Sequence, residues 1–198
     1  MDYQKFLKTK EKSHVSSGFD IEEKALNTSL FDFQKFTVKT ALKKGRFAVF
    51  ADCGLGKTLM QLSWAEEVFN YTGQKVLLLA PLAVVEQTKR EAVKFNINLD
   101  SFDITNYEQL KNTDTSIYSG VVLDESSILK GRDGKLSRYI IDTFKMTPYK
   151  LACTATPSPN DHMELGQHVE FLGFDTYDNM KSMFFVQDQK IKVMISGD

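Results

Sequence analysis

Residues 51–58, Ala51-Asp52-Cys53-Gly54-Leu55-Gly56-Lys57-Thr58, decide the fold. An apolar run, Phe47-Ala48-Val49-Phe50, precedes them and reads as a buried strand. Behind them Leu59, Leu62, Ala65, Val68 and Phe69 recur at helical spacing. Strand, glycine-rich loop and helix in that order make a phosphate cradle. The glycines let the backbone approach an anion, successive N–H groups point inward, and the helix N-terminus adds partial positive charge. Gly54, Leu55 and Gly56 form the candidate cradle. Lys57 is placed to reach the outer phosphates, and the Thr58 hydroxyl to hold magnesium. The expected ligand is a nucleoside triphosphate.

Working outward, the chain alternates apolar runs with amphipathic stretches. Residues 30–44 suggest a helix with Gly45 as its C-cap. The helix behind the loop stops near Gly73, and 75–80 is a second buried strand closed by Pro81. A helix over 84–95, a short strand at 102–105 and a clear strand at 120–124 follow. The pattern then predicts a helix over 136–146, a strand over 149–154, and a helix over 161–172 capped by Asn160. Residues 1–29 are polar and lysine-rich, fitting a short helix and a loop on the domain edge. Beyond Gly173, residues 183–186 and 190–195 read as two short strands or as a connector. Apolar strands without polar alternation, separated by helices, indicate an α/β fold: a mainly parallel sheet with helices on both faces. Ligands of such sheets bind at the carboxyl ends of the strands, where every polar motif found here lies.

Composition narrows the classes. The 198 residues, 42% hydrophobic and 26% charged, suit one ordinary globular unit. A net charge of −1 gives no general attraction to nucleic acid or membrane, so any DNA contact must come from local basic patches. No apolar run approaches the ~20 residues of a membrane span, and the N-terminus lacks a signal-peptide core. Two cysteines, Cys53 and Cys153, are too few for a disulfide scaffold, so an intracellular, cytoplasmic setting is expected. Both cysteines are expected to be small buried residues, and Trp64 to be core. His14, His162 and His168 show no metal-ligand spacing and are expected on the surface or in packing.

A second motif, Val121-Val122-Leu123-Asp124-Glu125, is an apolar strand ending in two carboxylates, a Walker B pattern. Asp124 is expected to hold magnesium through water, because that ion keeps much of its hydration. Glu125 is expected to orient and activate the attacking water.

The ordered set resembles the first RecA-like domain of superfamily-two helicases, in the Snf-type branch of double-stranded-DNA translocases. Residues 52–58 resemble that branch's Gly-Leu-Gly-Lys-Thr motif. Ala80-Pro81-Leu82 with Gln87 resembles motif Ia, and Ile104-Thr105-Asn106-Tyr107-Glu108 the motif Ib region. Asp124-Glu125-Ser126-Ser127 stands where relatives carry Asp-Glu-Ala-His, and Thr154-Ala155-Thr156-Pro157 looks like motif III. The resemblance covers residues 30–172, leaving 1–29 as an extension and 173–198 as a tail or connector towards a second RecA-like domain.

The resemblance implies ATP with Mg2+ as ligand and double-stranded DNA as partner. It makes Lys57, Asp124 and Glu125 catalytic, with Thr58 and Asp124 at the metal. Gln34 falls at the adenine-reading glutamine, with Phe31 or Phe33 stacking on the base. Pro81, Gln87, Thr105, Asn106 and Tyr107 would meet the DNA backbone, and Thr154 and Thr156 would couple nucleotide to DNA. Three departures stand out. Ser127 replaces the histidine, the stretch between Phe95 and Thr105 is short, and the second domain with its arginine finger is not in these residues. The compact form looks phage- or prophage-type, implying a phage protein in a bacterial host, and there Lys130 either touches phosphate or is solvated. Because an arginine finger is worth ~10³–10⁵ in rate, the resemblance implies a chain that binds nucleotide but hydrolyses it poorly. An RNA or single-strand helicase domain and a non-catalytic nucleotide-binding adaptor remain as alternatives.

Overall fold

A computed structural model describes residues 16–130, 134–158 and 162–184 of the chain. Five strands form one sheet: β1 (Arg46–Phe50), β2 (Val76–Ala80), β3 (Phe102–Asn106), β4 (Gly120–Asp124) and β5 (Tyr149–Thr154). The strand order is β1-β5-β4-β2-β3, and every neighbouring pair is parallel. Each strand therefore runs its carboxyl end to the same edge of the sheet. The helices are α1 (Asp32–Lys44), α2 (Lys57–Thr72), α3 (Val85–Lys94), α4 (Lys135–Thr143), α5 (Leu165–Leu172) and α6 (Tyr177–Phe184).

Alternate residues of the strands feed two separate cores, as a pleated sheet requires. Leu78, Val122 and Leu151 face one layer, with Val38 and Leu42 of α1 and Leu62, Trp64 and Val68 of α2. Leu77, Leu79, Val121, Leu123 and Ala152 face the other, with Ile140 and Ile141 of α4 and Phe171 of α5. Both faces are covered, so the central strands are apolar throughout and show no alternation. This is the expected α/β architecture of RecA-like domains.

Some expectations are corrected. β1, expected to be buried, is the edge strand among the described residues, so only Val49 is buried and Phe50 is 46% exposed. The helix expected over 161–172 starts at Leu165, behind a single 3-10 turn at His162–Glu164. Its expected cap, Asn160, lies outside the described residues. Met183 and Phe184 close α6 and form no strand, while 190–195 also lie outside the described residues. Cys53 is exposed, although Cys153 is buried as expected.

Residues 16–31 join the domain. Leu26 and Leu30 are in the first core, and the Phe19 N–H donates to the Leu42 carbonyl at 3.1 Å. Gly18 is required there: an added Cβ would fall 1.8 Å from the Leu42 oxygen.

Candidate functional site

β1 leads straight into the 51–56 loop, which turns into α2 at Lys57. Gly54 and Gly56 take φ of 82° and 73°, the left-handed region that favours glycine. Gly56 has a second reason: an added Cβ would lie 2.3 Å from Gln34 Nε2. The N–H groups of Gly54 and Gly56 find no acceptor among the described residues, which fits an anion-binding loop. Lys57 Nζ folds back across that loop, donating to the carbonyls of Ala51 at 2.8 Å and Asp52 at 3.1 Å. A phosphate between the glycines would offer the same ammonium a charged partner, a stronger hydrogen bond than a neutral carbonyl.

β5 lies between β1 and β4, and its register brings the motifs together. Phe50 pairs with Thr154, and Asp124 pairs with Cys153. The Ala51 N–H continues the ladder to the Thr154 carbonyl at 3.2 Å. Adjacent rows at the sheet edge thus carry Asp124 beside Cys153 and, one residue on, Thr154 beside the start of the glycine loop. Asp124 Oδ1 accepts from Gln61 Nε2 at 2.8 Å. Gln61 is one helical turn beyond Thr58 on α2, so the two side chains lie on one face of that helix. Gln61 is buried and was missed by sequence reasoning. Its spacing from Thr58 was the available signal.

Glu125 follows in a left-handed conformation, φ 55° and ψ 53°, uncommon for a residue with a side chain. Its carboxylate accepts from Thr154 Oγ1 at 3.3 Å, and that hydroxyl in turn accepts the Thr156 N–H at 3.0 Å. The two threonines and Glu125 therefore form one chain of hydrogen bonds. Ser126 turns inward, its hydroxyl 3.0 Å from His168 Nε2 on α5. His168 also meets Phe50 edge to face, with ring centroids 5.4 Å apart. Burial holds its imidazole below the ordinary pKa, against the pull of the Glu164 backbone. It is a packing residue, as expected, but one that joins the loop's strand to the turn at Glu125–Ser126. Nothing in the sequence pointed to that pairing.

Gln34 is 3% exposed and has both ends of its amide engaged. Oε1 accepts the Phe31 N–H at 2.9 Å and Nε2 donates to the Leu55 carbonyl at 2.9 Å. It braces the phosphate loop against α1. Beside it opens a cleft of about 450 Å3 lined by Phe31, Phe33, Gln34, Gly54, Leu55 and Gly56, among others. Phe31 and Phe33 stand exposed with parallel rings 6.3 Å apart.

A second groove, about 410 Å3, runs along the other half of the sheet edge. Pro81, Leu82, Asn106, Tyr107 and Glu108 line one side, and Glu125, Ser127, Ile128 and Lys130 line the other. Of the five expected nucleic-acid residues, Pro81, Asn106 and Tyr107 meet here. Gln87 is on α3, bonded to Glu91 at 3.0 Å, and Thr105 pairs with Leu79 inside the ladder; neither lines the groove. Asn106 uses its side-chain oxygen on the N–H groups of Glu108 and Gln109, at 3.0 and 2.9 Å. The Tyr107 hydroxyl is engaged with the Asp124 main chain and is not presented to the groove. Ser127, the histidine replacement, does face it.

A parallel sheet with a glycine loop after its first strand and paired carboxylates after a third defines an α/β nucleotide-binding class. The chain belongs to the SNF2-related domain family, whose family model matches residues 83–194. That match contains the 121–125 and 154–157 segments but begins after the glycine loop of residues 51–58. No curated protein matches the chain by sequence.

Solved structures share the fold. The Sulfolobus solfataricus SWI2/SNF2 ATPase core in complex with double-stranded DNA is 21% identical with a TM-score of 0.67, covering 82% of this chain and 40% of that one. The UvsW helicase from bacteriophage T4 is 16% identical, TM-score 0.62, over 86% of this chain and 66% of its own. The Pyrococcus furiosus Hef helicase domain is 19% identical, TM-score 0.64, over 75% and 38%. The chain thus spans less than two thirds of each of these relatives. Among the described residues no helix is long and apolar enough to cross a membrane.

Proposed function

We propose that this domain is the ATP-binding half of a Snf-type superfamily-two motor acting on double-stranded DNA. The observation that carries the reading is the Gln61–Asp124 bond, which ties the Walker B carboxylate to the helix that begins with Lys57 and Thr58. The loop N–H groups and Lys57 bind the phosphates, while Gln34 and the Phe31–Phe33 pair border the space for the base. The hydroxyl of Thr58 and the carboxylate of Asp124 are hard oxygen donors suited to Mg2+. Bound there, Mg2+ would neutralise charge on the phosphates. Glu125, aimed by Thr154, orients the attacking water and accepts its proton.

The domain alone is proposed to bind nucleotide and turn it over slowly, the transition-state arginine coming from a second RecA-like domain. Its shared coverage with the Sulfolobus core, 40% of that chain, supports such a division. The groove of Pro81, Asn106 and Lys130 is the proposed backbone contact, which positions a strand without reading sequence. The test is binding of fluorescent duplex DNA, single-stranded DNA and duplex RNA by the chain at matched low salt. Tightest binding to duplex DNA is expected, and a preference for RNA contradicts the reading.

A further inference from the structure

The groove and the nucleotide site are joined by a hydrogen bond that skips a strand. β2 lies between β3 and β4 in the sheet. Tyr107, directly after β3, nonetheless donates its hydroxyl to the main-chain carbonyl of Asp124 at the end of β4, 2.5 Å away. The side chain is buried, 6% exposed.

Each end of this bond is itself anchored. On the groove side, the Asn106 oxygen holds the N–H groups of Glu108 and Gln109, fixing the turn that carries Tyr107. On the nucleotide side, Gln61 holds the Asp124 carboxylate, and Glu125 follows in its left-handed turn. A residue with a side chain persists in that conformation only where its surroundings over-determine it. Such a turn is the element whose geometry two ligands can bias.

We propose that Tyr107 is a positioning residue that couples the groove to the nucleotide site through the Asp124 carbonyl. A strand bound along the β3 turn shifts the tyrosine, and the tyrosine shifts the turn carrying Asp124 and Glu125. By linkage, nucleotide bound at Asp124 alters the groove to the same degree. The route is separate from the Thr154–Thr156 chain, which reaches Glu125 from β5. This inference rests on the proposed reading of the groove as a nucleic-acid interface.

The experiment is a set of titrations of the full chain with Mg-ADP, with and without a saturating 20-base-pair duplex (about two helical turns), for wild type and Tyr107→Phe. Wild type should change its nucleotide affinity at least about fivefold when duplex is present. Tyr107→Phe should reduce that change to less than about twofold, whatever its affinity for each ligand alone. A tyrosine needed only for the core would instead weaken both ligands and leave their ratio intact. Tyr107→Phe with wild-type coupling overturns the inference and leaves the groove reading standing. Duplex that does not bind the wild type at all fails the groove reading, and the inference falls with it; duplex that binds without changing nucleotide affinity overturns the inference alone. A measurement on wild type alone covers poor folding of the variant: amide hydrogen exchange over residues 125–129 should slow when duplex binds. Unchanged exchange there, with duplex bound, overturns the inference.

Discussion

At the scale of single residues, the phosphate loop is specified by contacts from outside it. Gln34 reaches from α1 to the Leu55 carbonyl and occupies the space where a side chain at residue 56 would begin. Gly56→Ala therefore meets two penalties. A side chain at φ 73° costs about 1–2 kcal/mol, and the new methyl displaces Gln34 from the loop. The variant should melt several degrees lower and bind Mg-ADP at least about tenfold more weakly. A Gly56→Ala protein with unchanged melting and affinity would show that the loop does not need this conformation. The exposed Cys53 and the engaged Tyr107 belong to the same scale. Sequence gives the type of residue, whereas burial and partner are decided by elements far away in the chain.

At the scale of elements, the two cations at the amino end of the sheet anchor the last part of the fold. Lys150 of β5 is 1% exposed and donates to the Phe171 carbonyl at 2.8 Å. Arg46 of β1 reaches the Leu172 carbonyl at 3.5 Å. Both therefore meet the carboxyl end of α5, where partial negative charge collects. Burial, aided by the nearby Arg46, lowers the Lys150 pKa from 10.5 to about 8. Between those values the unfolded chain holds a proton that the folded one lacks, so stability from this group grows as pH rises and is lost as pH falls through about 8. Denaturant midpoints of wild type and Lys150→Met, compared from pH 8 to 10, should diverge in favour of wild type. The slope is at most about 1 kcal/mol per pH unit. Parallel pH profiles would mean that Lys150 keeps its ordinary titration when folded.

The elements also show what the sequence could convey. β2 and β4 were legible because strands buried on both faces are continuous apolar runs. α1 and α2 were legible because Gly45 and Gly73 stop them. β1 looked equally buried, since its composition matches that of a central strand; only the strand order makes it an edge. The start of α5 was misread because an apolar stretch does not distinguish a 3-10 turn from the first turn of an α-helix.

At the scale of the whole molecule, the site is a property of topology. The phosphate loop and Asp124 are about 70 residues apart in sequence, and the parallel connections return both to one edge of the sheet. The sequence motifs announced each half of the site because their chemistry constrains residue type. The side chains that join the halves, Gln61 and His168, carry no such constraint in a single sequence and became visible only with the fold. Two recesses follow from that topology, a cleft beside the loop and a groove beyond Glu125.

The most direct test of the central claim is a calorimetric titration of the chain with ADP and ATP in the presence of magnesium, alongside Lys57→Ala. Losing the ammonium removes a charge-assisted contact of roughly 1.5–3 kcal/mol, at least about tenfold in affinity. Saturable binding to the wild type is expected, weakened in Lys57→Ala by that factor or more. Binding that is indifferent to Lys57, or no binding by the wild type, would contradict a nucleotide site at this loop.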